Sequence, residues 1–177
     1  KEFLDEKKPL YVKRMVLNAE EIIAWAKDAG FDRCVPPEDM HVTVVFSRDP
    51  VINRIMPQQD HIRLDPDPGR SERRIEPLGD DGAVVLKFES RDLQHRWQQF
   101  RNMGASWDYD VYTPHITLTY HNPPDMEYDT IWTYQGVIVL GPEIFEDLNL
   151  DFKDEVVEEE KDLMDDGRKM GPVQDGT

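Results

Sequence analysis

A unit of strand, capped helix and strand occurs twice in this chain, and both closing strands carry the same short pattern. It reads histidine, apolar, threonine, apolar: "HVTVVFS" at 41–47 and "HITLTYH" at 115–121, 74 positions later. Residues i and i+2 of a strand share a face. His41 therefore projects with Thr43, and His115 with Thr117, while Val42, Val44, Ile116 and Leu118 turn the other way into a core. Two strands that bury one face and aim an imidazole and a hydroxyl from the other leave few architectures open. The expectation from the residues is a pseudo-duplication of one β-α-β unit.

The rest of the pattern fits that frame. "LYVKRMVLN" (10–18) alternates loosely and predicts a strand. Asn18 then predicts a helix N-cap with Glu21 as its capping-box partner. The helix runs to about Ala29 with Ile22, Ile23 and Ala26 inward, and Gly30 ends it. In the second half "AVVLKFE" (83–89) predicts a strand, and Ser90 caps a helix whose Leu93, Trp97, Phe100 and Met103 form one apolar stripe. "YTPHITLTY" and "YQGVIVL" supply two more strands. Between Arg48 and Gly82 the signals are turns, with "RRIEPLG" a candidate strand before "GDDG". Short strands or a lid over a site are expected there.

With 177 residues the chain suffices for one domain, or for two small lobes sharing a core. We expect lobes at roughly 8–82 and 83–150 within a domain covering 1–150. The segment 151–177 holds ten acidic and four basic residues and predicts a disordered acidic tail. A net charge of −16 argues against a long nucleic acid as partner, which usually meets a basic face. A small anion remains compatible, because a local pocket can be positive on an acidic protein. Cys34 is the only cysteine, which rules out an internal disulfide and suits a reducing compartment. No apolar run reaches the ~20 residues that span a bilayer, so no membrane partner is expected. The chain opens on Lys1 rather than methionine, which suits a fragment of a larger polypeptide.

Chemistry follows from the residue types. Histidine titrates near neutrality and serves as acid or base, and a threonine hydroxyl donates to a phosphate oxygen. Two such pairs across a cleft would hold a phosphodiester between a proton acceptor and a proton donor, with no metal or other cofactor required. Threonine fills about one position in twenty. Two of five histidines with threonine at i+2, flanked alike and placed alike in each half, is therefore a rare coincidence. No His-Glu-x-x-His, phosphate-cradling glycine loop or cysteine pair points to other chemistry.

The paired motifs resemble the signature of the two-histidine (2H) phosphoesterases, over about residues 8–150. That resemblance implies a two-lobed α+β fold with pseudo-twofold symmetry and a central cleft lined by both motifs. Within the superfamily, "LYVKRM", "ASWDYDVYTPHITLTY" and "LGPEIFEDL" are most similar to the phage anti-CBASS cyclic-oligonucleotide phosphodiesterases. Domains of that kind also occur within larger phage proteins. The implied activity is metal-independent cleavage of cyclic di- or trinucleotide immune signals, in the cytoplasm of an infected bacterium. The implied catalytic set is His41, Thr43, His115 and Thr117.

The same resemblance implies that Tyr11 stacks on a base, with a buried tyrosine as the alternative. It also implies that Glu143 accepts hydrogen bonds from a base, with a surface turn glutamate as the alternative. Trp107 and Tyr109 flank the second motif and either line a base pocket or pack a lobe. His121, His61 and His95 are expected at the surface. Arg70, Arg73 and Arg74 form a basic cluster that either draws a phosphate or is a solvated charge run. Two other functions stay open: a 2H enzyme acting on linear RNA ends with 2′,3′-cyclic phosphates, and a non-catalytic module of a larger phage protein.

Overall fold

A computed structural model describes residues 7–52, 55–66, 73–79 and 81–147. In chain order they form β1 (Lys7–Val16), α1 (Ala19–Ala29), β2 (His41–Ile52), β3 (Ile62–Leu64), β4 (Arg74–Leu78), β5 (Ala83–Lys87), α2 (Arg91–Asn102), β6 (His115–Thr119) and β7 (Ile138–Asp147). Short 3-10 turns cover Pro37–Asp39 and Tyr128–Thr130. The tail 151–177 and Arg70 lie outside the described residues.

Two antiparallel sheets result, one ordered β2-β1-β7-β3 and the other β4-β5-β6. The repeated unit is present as β1-α1-β2 and β5-α2-β6, each with its strands paired side by side. A division at residue 82 places two strands on the wrong side, however. β4 pairs with β5 in the second sheet, and β7 returns to pair with β1 in the first. The segment between Arg48 and Gly82 supplies the end of β2, then β3 and β4, in keeping with the short strands expected there.

The end of α1 and the start of α2 follow the sequence, while α1 begins otherwise. Gly30, at φ +113°, takes the left-handed position after α1, and its amide reaches Ala26 and Lys27 carbonyls. The Ser90 hydroxyl accepts the Leu93 amide at 3.2 Å and caps α2. The box expected at Asn18 does not form, since its side chain makes no cap bond. Its amide instead bridges to β7, donating to the Val137 carbonyl (2.7 Å) and accepting from the Val139 amide (3.0 Å). Satisfying two backbone groups of an incoming strand outweighs one cap bond.

The core is continuous across both sheets and includes Ile22, Ile23 and Ala26 of α1 and Leu93, Trp97 and Phe100 of α2. Met103, expected on that stripe, is exposed. α2 crosses to the first sheet, where Phe100 meets Phe145 of β7 edge to face, with centroids 5.9 Å apart. Arg96 on the same helix is buried as well, and its guanidinium forks onto Glu143 of β7 at 2.8 Å through both Nε and Nη2. The lobes are thus joined by apolar contact and by a charge pair, which fixes how their motif strands face each other.

Candidate active site

The two motif strands come into contact where the sheets meet. Each also carries the same local distortion. In the β1–β2 ladder Lys13 pairs with Thr43 but Val12 with Val45, so Val44 is an inserted residue. In the β5–β6 ladder Val85 pairs with Thr117 but Val84 with Thr119, so Leu118 is inserted. A bulge directly after each threonine interrupts the regular pairing and bends the strand, the device that re-aims side chains beside sites.

Each imidazole is oriented by its own backbone. His41 Nδ1 donates to the Asp39 carbonyl at 2.8 Å, and His115 Nδ1 to the Thr113 carbonyl at 3.0 Å, both two residues upstream. A carbonyl only accepts, so the neutral ring keeps its proton on Nδ1 and its lone pair on Nε2. Both histidines therefore hold the same tautomer and present the same nitrogen. One can take a proton while the other, charged, gives one.

A cleft of about 150 Å³ joins the two halves. Its walls include Thr43 from the first lobe and Lys87, Trp107, Tyr109, Tyr112 and His115 from the second. His41 lies two residues, about 7 Å, along β2 from Thr43 and on the same face. Thr117 bears that relation to His115, and both His41 and Thr117 are buried. Tyr112 closes the joint, since its hydroxyl donates to the Thr43 carbonyl at 2.7 Å and its ring stacks on Trp97 at 5.5 Å. Burial pushes the Tyr112 phenol far up, against the smaller opposing effect of Arg14, so it remains a donor. Ser106 fastens the same segment to the end of β2. Its hydroxyl accepts the Arg48 and Asp49 amides at 3.0 and 3.1 Å.

The structure distributes the expected substrate-binding residues unevenly. Trp107 and Tyr109 do line the cleft, and Trp107 also packs edge to face on Trp97 and Tyr112. Tyr11 is fully buried. Its hydroxyl lies 3.4 Å from Thr43 Oγ1 and its ring meets His41 edge on at 6.5 Å, so it backs the motif instead of offering a face to a base. Glu143 is no surface turn residue. Its carboxylate accepts from Arg96 and from the Gln58 amide (2.9 Å), with none of its side chain exposed. Beside it Arg14, its cross-strand partner, bonds the Asp60 and Gly141 carbonyls.

Among the other candidates, Arg73 is structural, donating to the Leu64, Tyr134 and Gly136 carbonyls. Arg74 is exposed and pairs with Glu76. His61 and His95 are exposed, as expected, while His121 is half-buried at the end of its strand.

Sequence reasoning missed two lysines. Directly opposed residues of an antiparallel pair share a face. Lys87 stands opposite His115 and Lys13 opposite Thr43, so each motif has an ammonium on its flank. Lys13 pairs with Glu146 at 2.7 Å, and Lys87 with Glu76 at 3.0 Å. The available signal was a single charge at the end of the apolar run "AVVLK".

Two lobes, each supplying a strand with a carbonyl-oriented histidine and a threonine two residues on, define the two-histidine phosphoesterase fold. A solved structure described as a phosphoesterase shares it, with a TM-score of 0.52 over 80% of this chain and 88% of its own, at 17% identity. The model of the anti-CBASS protein Acb1 family matches residues 8–155, and the chain belongs to that family. Relatives named anti-CBASS protein Acb1 include one from Caulobacter sp. (strain RHG1), 41% identical over 80% of this chain and 23% of its own length. Another, from Sphingomonas paeninsulae, is 42% identical over 82% of this chain and 24% of its own. The protein of that name from Enterobacteria phage T4 is 31% identical over 88% of this chain and 98% of its own. The chain therefore spans about a quarter of the first two relatives and nearly all of the third.

Proposed function

We propose that the chain is a metal-independent phosphodiesterase that cleaves 3′-5′ bonds of cyclic di- or trinucleotide immune signals and so counters CBASS defence. One observation carries this reading: two histidines held in the same tautomer by equivalent backbone carbonyls, on strands whose motif residues Thr43 and His115 share one cleft. Family membership supports the choice of substrate class.

The chemistry proceeds in two steps. One Nε2 takes the proton of a ribose 2′-hydroxyl, whose oxygen attacks the adjacent phosphorus. The other histidine, protonated, gives its proton to the 5′-oxygen as the P–O5′ bond breaks. The resulting 2′,3′-cyclic phosphate is then hydrolysed to a 3′-phosphate with the two roles exchanged. Thr43 and Thr117 donate to the non-bridging oxygens, where negative charge builds. Trp107 and Tyr109, rings on the cleft wall, are placed to stack on a base. The reaction takes place in the cytoplasm of an infected bacterium. The match to a quarter of two longer relatives supports action as one part of a larger polypeptide.

Incubation in EDTA with cyclic GMP–AMP, and separately with an RNA ended by a 2′,3′-cyclic phosphate, tests the reading. Rapid opening of the cyclic dinucleotide with slow or no action on the RNA is expected. Preference for the RNA would move the chain to RNA-end processing, and inactivity toward both would leave a non-catalytic module.

A further inference from the structure

We infer that Lys87 contacts the scissile phosphate in the reaction proposed above, and that Glu76, gripped by Arg74, holds its ammonium at the cleft. The inference rests on that reading. Across the second sheet the register sets Arg74, Lys87 and His115 in one row, on β4, β5 and β6. Opposed residues share a face, so all three stand on the side of the cleft, with neighbours about 4.8 Å apart. Lys87 lines the same cleft as Thr43 and His115, with 21% of its side chain exposed.

Its position is held from behind. Glu76 accepts the Lys87 ammonium on Oε1 at 3.0 Å and Arg74 Nε on Oε2 at 2.7 Å. The Arg74 hydrogen bond, then that of Lys87, holds the Glu76 carboxyl below its ordinary range, so it stays charged. One carboxylate shared by two cations leaves the trio with a net positive charge. An ammonium has three N–H donors, and this bond uses one.

The reaction needs such a charge. The protein carries −16, and its long-range field opposes an anionic ligand unless a local cation offsets it. As the 2′-oxygen adds to phosphorus, the charge on the non-bridging oxygens rises from one toward two. The threonine hydroxyls are neutral donors, and a charged donor is about twice as strong.

The test uses the full chain with Lys87→Met and Lys87→Arg, both checked for folding by thermal melting. Turnover of cyclic GMP–AMP and calorimetric binding of inorganic phosphate are measured for each. Lys87→Met should lose about 10²-fold in kcat, the usual loss for one donor to a developing oxyanion, with a smaller change in KM. It should also bind phosphate at least ~10-fold more weakly, and Lys87→Arg should recover most of both. If His115→Ala is inactive while Lys87→Met keeps kcat and phosphate affinity within about threefold, the inference falls and the proposed function stands. If the wild type opens no cyclic nucleotide yet Lys87→Met alone loses phosphate, the functional reading falls and the anion contact stands. A wild type that binds no phosphate overturns the inference too.

Discussion

Replacing Glu143 by glutamine separates two roles for that carboxylate by the size of its effect on stability. It accepts three hydrogen bonds: from Arg96 Nε and Nη2, both at 2.8 Å, and from the Gln58 amide at 2.9 Å. Exposure of the two side chains is 0% for Glu143 and 7% for Arg96. An amide keeps the shape but turns N–H donors toward the guanidinium and removes its countercharge. Breaking one side of a buried pair costs about 3–5 kcal/mol. Arg14, the cross-strand neighbour, adds a second cation to the same place and favours the upper half of that range. At about 2–4 °C per kcal/mol for a domain of this size, Tm should fall by roughly 8–20 °C. Circular dichroism melts of wild type, Glu143→Gln and the double replacement Arg96→Met with Glu143→Leu provide the assay. The double variant should regain much of the loss, because apolar residues of similar volume often replace a buried pair at little cost. A Glu143→Gln protein that melts within a degree or two of wild type, yet binds a cyclic dinucleotide less tightly, would rule out a structural role for the pair. It would return the carboxylate to base recognition.

Four further outcomes are expected. His41→Ala and His115→Ala should each lower kcat by at least the 10²- to 10⁴-fold of acid-base catalysis, with the double variant little worse, as residues acting as a unit behave. Tyr112→Phe, which deletes the buried bond to the Thr43 carbonyl, should lose about 1 kcal/mol in urea unfolding and slow turnover by disturbing the motif strand. Ser90→Ala should cost about 1 kcal/mol through its lost cap on α2 and leave KM unchanged. Glu76 has a depressed folded-state pKa, so its stabilising contribution is complete above the unfolded carboxyl value and fades as pH falls through the lower folded value. Wild type and Glu76→Gln should therefore differ in stability at neutral pH and converge in acid, which urea unfolding across that range reads directly.

Local pattern made much of this molecule legible. The His-x-Thr strands, the Ser90 cap and the Gly30 stop each depend on neighbours a few residues away, and the sequence displays all of them. Long-range pairing was not legible. No periodicity says that "YQGVIVL" returns to β1 while "RRIEPLG" joins β5, so the expected boundary between lobes fell in the wrong place. Arg96 takes the i+3 position of the Leu93, Trp97 and Phe100 stripe, so helical spacing turns it inward, but its countercharge, Glu143 on β7, lies far along the chain. Asn18 looks like a cap until β7 offers it two backbone groups. The bulges had half a signal, since the doublet Val44-Val45 breaks alternation after Thr43, whereas Leu118-Thr119 does not stand out after Thr117. Lys87 was visible as a lone charge, but its position opposite His115 depends on register alone.

In the proposed reaction His41 and His115 act on one phosphorus. A crystal structure with inorganic phosphate bound in the cleft measures this directly. A single phosphate is expected, with both Nε2 atoms within about 3.2 Å of its oxygens and the Thr43 and Thr117 hydroxyls on the remaining ones. A phosphate that reaches only one imidazole, with the other ring turned into a separate cavity, would contradict it.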